Sequence, residues 1–87
     1  MINYSLKYSK SSIKQLKKIK EKSLINNLTK LINIIKQNPY QSPPCFEKLI
    51  GFDNVYSRRL NIKHRLIYKI DNNQKIIYIL SFWSHYE

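Results

Sequence analysis

The sequence has little cysteine and little glycine, since its 87 residues include one of each. Because Cys45 is alone, no internal disulfide can form, and no Cys/His set has the spacing of a zinc site. No apolar run is long enough to be a signal peptide or to span a bilayer. We therefore expect a soluble, cytoplasmic protein that uses no metal and no other cofactor.

Acidic residues are also scarce: the chain has 5 of them against 16 lysines and arginines, which gives a net charge of +11. A small domain with this charge repels itself when compact, so we expect the charge to serve an anionic partner. RNA or DNA is the first candidate and a membrane surface the second. A basic face that only keeps the protein soluble is the alternative.

The basic residues are concentrated in the first half of the chain, where residues 1–38 contain nine lysines and one acidic residue, Glu21. Lysines on a helix surface are suited to contacts with RNA phosphates that do not depend on base sequence. The side chains predicted to make such contacts are Lys10, Lys14, Lys17, Lys18, Lys20, Lys48 and Arg58.

The hydrophobic pattern of the N-terminal half predicts a strand followed by two helices. Residues 2–8 alternate between apolar and polar side chains, as in a half-buried strand. Residues 9–20 offer serines for a helix N-cap and a thin apolar stripe at Ile13, Leu16 and Ile19. A second, clearer helix carries Leu24, Leu28, Leu31, Ile32 and Ile35 on one face and ends at the proline-rich residues 38–44.

The period then changes to two, which predicts strands over residues 54–62, 64–70 and 75–83 with turns at 61–63 and 71–74. The order is therefore a strand, two helices and an antiparallel meander of strands. We expect one α+β domain over residues 1–87, with the helices packed on one face of a twisted sheet.

Alternation along the strands predicts which side chains share a face of this sheet. Arg58 and Arg59 point in opposite directions, and Arg65 lies on the face opposite Leu66 and Tyr68. An arginine in the middle of a sheet usually pairs with an anion. The alternative is a partly exposed arginine on a sheet face that the helices leave open.

Two other ionisable residues have competing interpretations. His64 is in line with Leu66 and Tyr68, which favours a structural histidine over a catalytic one. Glu47 lies between apolar residues just after the prolines. It is either a loop carboxylate paired with Lys48 or a carboxylate that faces a basic cleft and accepts a proton.

Three segments, "EKLIG", "YSRRLNIKHRLIY" and "SFWSHYE", closely resemble the Txe/YoeB branch of the RelE toxin superfamily. The resemblance covers residues 43–86 in order and implies a RelE-like fold. It also implies a bacterial type II toxin, a small RNase that enters the ribosomal A site, cuts mRNA there and so inhibits translation. The implied partners are an acidic antitoxin of the YefM/Phd type, small-subunit ribosomal RNA and mRNA, and homodimers occur in this branch.

The resemblance also implies roles for individual residues. Glu47 matches the general base and His85 the general acid, while Arg65 and Arg59 match arginines that stabilise the phosphate. Tyr86 matches the terminal tyrosine that positions the substrate. One departure concerns Glu47. The segment over residues 47–56 is one residue shorter than is usual in the branch, and this change would displace Glu47 relative to the sheet.

The residues required for metal-independent RNA cleavage are therefore all present: a base for the 2′-hydroxyl, an acid for the leaving oxygen and cations for the phosphate. A basic protein that binds nucleic acid or the ribosome without cleaving RNA is the alternative function. In that case charge would matter, but His85 and Glu47 would not.

Overall fold

The computed structural model describes residues 3–42, 45–60 and 64–82. Five strands and two helices follow one another in the order β1 Ser5–Tyr8, α1 Lys10–Lys18, α2 Lys22–Gln37, β2 Phe46–Lys48, β3 Val55–Arg59, β4 Arg65–Asp71 and β5 Ile76–Ser81. The predicted α+β class and element order are confirmed. The predicted turn at residues 61–63 lies outside the described residues.

The strands form one sheet in the order β1-β5-β4-β3-β2. The meander from β3 to β5 is antiparallel as predicted, and β2 also pairs with β3 in an antiparallel way, but β1 pairs with β5 in parallel, so the sheet is mixed. Strand β2 was not predicted because its three residues are too few to display an alternating pattern.

Helix α2 buries the face that its sequence predicts: Leu24, Leu28, Leu31 and Ile35 are buried. It ends before Pro39, which lacks a backbone N–H and disfavours helical backbone in the residue before it. The apolar stripe predicted for α1 is wrong for Ile13 and Leu16, which are exposed, whereas Ile19, the C-cap residue, is buried in the core as predicted. Within the helix the buried residue is Ser12.

The core lies between the helices and one face of the sheet. The sheet contributes Leu66, Tyr68 and Ile70 of β4 and Ile77 and Ile79 of β5, which alternate with residues of the other face. We call that other face, which carries Ser57, Arg59, Arg65, Lys69 and Tyr78, the open face. In the described residues, neither helix is long and apolar enough to cross a membrane.

A register shift between Ile67 and Tyr68 changes the course of β5 near its end. Tyr68 pairs with Ile79 and Ile67 with Ser81, so Leu80 is an extra residue in β5. Continued alternation from Ile77 and Ile79 would send Phe82 to the open face. With the extra residue, Phe82 is instead fully buried in the core.

Candidate functional site

Strands β2, β3 and β4 bring Glu47, Ser57 and Arg65 together on the open face. Glu47 is directly opposite Ser57 in the β2–β3 register, and β4 is the next strand of the sheet. The Arg65 guanidinium Nη1 donates hydrogen bonds to Glu47 Oε1 at 3.3 Å and to Ser57 Oγ at 3.4 Å. Glu47 therefore lies beside Arg65 of the sheet.

This site is open to solvent. The Glu47 side chain is 71% exposed and that of Arg65 is 30% exposed. A shallow cavity of about 280 Å³ is lined by Cys45, Phe46, Glu47, Ser57, Arg59 and Arg65. A substrate can therefore reach both members of the ion pair without any rearrangement of the core.

Arg59 adds a second cation to the site. It is paired with Arg65 in the β3–β4 register, lies on the same face and is exposed. Two guanidinium groups and one carboxylate leave a net positive charge, and the planar arginine side chain matches the geometry of phosphate oxygens. The arrangement is thus suited to an anionic group held between Arg59 and Arg65 with a carboxylate next to it.

Arg58 does not have the role predicted from the sequence. Its side chain is 1% exposed, so it cannot contact RNA, and its assignment as an RNA-binding residue is wrong. Alternation directs it to the helix-covered face, where Nε donates to Tyr68 Oη at 2.9 Å and Nη2 donates to the Pro39 carbonyl at 3.1 Å. Its guanidinium also lies 4.9 Å from the centre of the Phe46 ring.

These contacts of Arg58 connect the end of α2 to strand β2, which carries Glu47. Phe46 precedes Glu47 and pairs with Arg58 in the β2–β3 register. Tyr68 Oη also donates to the Pro39 carbonyl, at 3.3 Å, and burial raises the pKa of the Tyr68 phenol even though Arg58 acts to lower it. Arg58 therefore holds β2 against the sheet from the core side while Glu47 faces the open side.

Other predicted residues remain predictions. His85 and Tyr86 lie outside the described residues. Lys48 alternates with Glu47 on β2, and all of the lysines predicted to contact RNA are exposed, namely Lys10, Lys14, Lys17, Lys18, Lys20 and Lys48. His64 is half-buried, and its carbonyl accepts a hydrogen bond from the Leu60 N–H at 2.8 Å.

Ser57 and Cys45 line the site but were not predicted from the sequence. Ser57 is 1% exposed yet lies on the open face, where its hydroxyl meets Arg65. The signal available in the sequence was the alternation along the strand, which puts Ser57 on the same face as Arg59. Cys45 lies there because it directly precedes β2, a strand that was not predicted from the sequence. Among the described residues, no group of three or more His, Cys, Asp or Glu side chains could hold a metal ion.

Solved structures with the same fold include small bacterial and archaeal toxins. The YoeB dimer from Staphylococcus aureus shares 27% sequence identity, with 97% of this chain and 99% of that chain covered and a TM-score of 0.82. The YoeB-YefM heterotetramer from Staphylococcus aureus shares 29% identity over 95% and 98% of the two chains, with a TM-score of 0.80. The RelE-RelB complex from Pyrococcus horikoshii OT3 gives 24% identity, 98% coverage of each chain and a TM-score of 0.80.

The fold is therefore that of a RelE/ParE superfamily toxin and is YoeB-like. Residues 6–87 match the family described as the ParE toxin of type II toxin-antitoxin system, parDE, and the chain belongs to this family. The comparison with curated proteins found no significant match.

Proposed function

We propose that this toxin is a ribosome-dependent endoribonuclease that cuts mRNA in the A site and thereby inhibits translation. The observation that carries the proposal is the cluster of Glu47, Arg65 and Arg59 on the open face of the sheet. RelE- and YoeB-type toxins are mRNA-cleaving toxins, which supports this activity over the others found in the family.

The proposed reaction uses the RNA's own 2′-hydroxyl as the nucleophile. Glu47 takes the 2′-hydroxyl proton, the oxygen bonds to the adjacent phosphorus, and the bond from phosphorus to the 5′-oxygen breaks. His85 gives its proton to that leaving oxygen, and the products are a 2′,3′-cyclic phosphate and a 5′-hydroxyl. No metal takes part in these proton transfers.

Arg65 and Arg59 stabilise the charge that builds on the phosphate oxygens in the transition state. In the free protein Arg65 is held by Glu47 and Ser57, so it is already close to the place where a phosphate would lie. A bound phosphate competes with Glu47 for Arg65, which leaves the carboxylate available as a base. Tyr86 positions the RNA nucleobase beside the cleaved bond.

Docking to ribosomal RNA is the second part of the proposal, and it uses the lysines on and just after α1, namely Lys10, Lys14, Lys17, Lys18 and Lys20. Their exposed ammonium groups contact backbone phosphates of the small subunit without reading sequence. Docking then supplies much of the orientation that the reaction needs, so naked mRNA is a poor substrate. This activity places the toxin in the cytoplasm, where ribosomes are.

An acidic antitoxin of the YefM type is the proposed partner. Its support is the solved YoeB-YefM complex and the net charge of +11, which an acidic segment would neutralise. A homodimer is proposed on the basis of the solved YoeB dimer.

Inhibition of DNA gyrase is the second candidate, because the ParE toxin family that matches this chain also includes gyrase inhibitors. A gyrase inhibitor would need the basic surface but not the Glu47 carboxylate. A supercoiling assay with wild type and Glu47→Gln therefore separates the two candidates.

The direct test is cleavage of mRNA held on 70S ribosomes, mapped by primer extension in the presence and absence of a chelator. Wild type is compared with Arg65→Ala and His85→Ala, with Lys30→Ala as a cation-loss control outside the site and naked mRNA as a substrate control. We expect cuts in the A-site codon by wild type and Lys30→Ala that persist with the chelator and disappear in the other two variants. Ribosome binding without cuts would establish a binding-only protein instead.

A further inference from the structure

A second cavity on the open face is larger than the one beside Glu47 and has no role in the proposed reaction. Its volume is about 830 Å³, and its lining includes Lys7, Tyr78 and Lys69. These three residues form one row across the sheet, because Tyr78 of β5 pairs with Lys7 of β1 on one side and with Lys69 of β4 on the other. A tyrosine flanked by two lysines is thus built into the register of three strands.

The two ends of this cavity differ in chemistry. One end is formed by the turn after β4 and the residues before β3, which contribute Asp53, Asn54, Asp71 and Asn73. Asp71 Oδ1 accepts the backbone N–H groups of Asn73 and Gln74 at 3.0 and 3.1 Å, which fixes the turn. The rest of the lining has no carboxylate and includes the apolar Leu80.

We propose that Tyr78, Lys7 and Lys69 form a subsite for one nucleotide of the single-stranded RNA that also occupies the cleavage site. The base stacks on the Tyr78 ring, the two lysines bind the flanking phosphates, and the Asp and Asn side chains meet the polar edge of the base. Aromatic side chains on an exposed sheet surface are a common platform for RNA bases, and lysines beside them bind the backbone.

The position of the row relative to the cleavage site supports this ligand. Arg65 and Lys69 are both on β4 and both on the open face, four residues apart, which corresponds to about 13 Å along a strand. A strand of RNA held at Arg65 would therefore run over the same sheet face to Tyr78. The subsite rests on the proposed function only for its place on the substrate; RNA binding at Tyr78 is measurable without cleavage.

An acidic peptide fits this cavity less well than a nucleotide. Asp53 and Asp71 would repel carboxylates at one end of the cavity, whereas a nucleotide has its negative charge on the phosphates and N–H donors on the base. The lining therefore matches a ligand that is anionic at one end and neutral, with hydrogen-bond donors, at the other.

The test is fluorescence anisotropy with a labelled oligouridine whose 2′-hydroxyls are methylated, so that it cannot be cut by the proposed reaction. Tyr78→Ala is expected to weaken binding roughly 5-fold to 100-fold, the loss typical of one stacked base. Tyr78→Phe keeps the ring and should bind like wild type. Lys7→Ala and Lys69→Ala should each lower the slope of log affinity against log salt by about 0.7, and the distant Lys30→Ala should change it less.

Three results would overturn the subsite. The first is that wild type does not bind the oligouridine, and the second is that wild type and Tyr78→Ala bind it with equal affinity. The third is that Tyr78→Ala loses as much affinity for duplex RNA, whose bases cannot stack on the ring, as for the oligouridine. A greater loss of polyglutamate binding than of RNA binding in Tyr78→Ala would assign the cavity to an acidic peptide. Because Tyr78→Ala depends on a folded variant, wild type is also cross-linked with 4-thiouridine RNA. Mass spectrometry should then find the adduct in the peptide that contains Tyr78, and an adduct found only elsewhere counts against the subsite.

The outcome is separable from that of the proposed function. Ribosomal cleavage by wild type, with Tyr78→Ala unchanged in oligouridine binding, would remove the subsite and keep the nuclease. Binding that depends on Tyr78, with no ribosomal cleavage by wild type, would remove the nuclease and keep the RNA site.

Discussion

Arg58 and Arg59 are neighbours in sequence that have opposite roles, because a strand turns successive side chains to opposite faces. Arg58 is buried under α2 and bonded to Tyr68 and Pro39, whereas Arg59 is exposed beside Arg65. Truncation of Arg58 would leave buried acceptors without a hydrogen-bond donor, which costs free energy. Truncation of the exposed Arg59 would not have this cost, so the two variants should differ in stability.

We therefore predict that Arg58→Ala lowers the free energy of unfolding by about 3 kcal/mol, the scale of hydrogen bonds to a charged group together with the acceptors left unpaired. Arg59→Ala should change it by less than about 0.5 kcal/mol, as for other surface substitutions, and should reduce cleavage instead. Urea unfolding of the two variants, each paired with a cleavage assay, tests the assignment. Equal destabilisation by both would contradict it.

Tyr68 makes a pH-dependent contribution to stability. Burial raises the pKa of its phenol in the folded protein above the ordinary value of 10.0. Since the unfolded chain releases this proton first, the stability that Tyr68 contributes is complete below about pH 10 and is lost as the pH rises through the folded pKa.

The difference in the free energy of unfolding between wild type and Tyr68→Phe should therefore shrink above pH 10. Ionisable groups other than Tyr68 are common to both proteins and cancel in the comparison. Urea unfolding between pH 8 and pH 11 provides the measurement, and a difference that stays constant or grows would show that Tyr68 is not protonated preferentially in the folded state.

At the scale of elements, Ser9 joins helix α1 to strand β5. Its hydroxyl accepts the Ser12 N–H at 3.0 Å, which caps the helix, and donates to the Leu80 carbonyl at 2.9 Å. Leu80 is the extra residue of β5, so the cap also holds the point where the strand changes register.

Gln15 Oε1 of α1 also accepts hydrogen bonds from Ser81 Oγ at 3.2 Å and from the Phe82 N–H at 2.9 Å. Polar contacts therefore join α1 to the end of β5, while Ile13 and Leu16 of α1 are exposed.

Ser9→Ala is expected to lower the free energy of unfolding by about 1–2 kcal/mol, the usual cost of a lost N-cap. Ser11→Ala, at an exposed position of the same helix, should have an effect of less than about 0.5 kcal/mol and is the matched control. Thermal unfolding followed by circular dichroism distinguishes them. A Ser9→Ala variant no less stable than Ser11→Ala would show that the cap does not anchor α1.

The sequence was sufficient to predict the elements with strong periodicity, such as α2 and β4, and the opposite directions of Arg58 and Arg59. It was insufficient for β2, whose three residues are too few to show a pattern and which is defined by its pairing with β3 and by the contact of Arg58 with the Phe46 ring. Arg58 was assigned to RNA because its charge suggested the surface; alternation gave its direction but not the hydrogen bonds that allow its burial. The row of Lys7, Tyr78 and Lys69 depends on the pairing of β1 with β5, which sequence pattern does not specify.

At the scale of the whole molecule, the two faces of the sheet have different proposed roles. One face holds the core and the helices, and the lysines on and just after α1 are proposed to dock on ribosomal RNA. The open face carries the Glu47–Arg65 site and the Tyr78 cavity, which are proposed to hold mRNA. A net charge of +11 is consistent with two surfaces that are proposed to bind RNA.

The most direct test of the central claim is the single-turnover rate at which Glu47→Gln cuts mRNA on the ribosome, compared with Glu21→Gln, which removes an exposed carboxylate at the start of α2. Because the Glu47–Arg65 pair is solvent-exposed, Glu47→Gln should change the free energy of unfolding by less than about 1 kcal/mol. Its cleavage rate should nevertheless fall by about 10²–10⁴-fold, as expected for loss of a general base, while Glu21→Gln cuts like wild type. A folded Glu47→Gln protein that cuts at the wild-type rate would contradict the account.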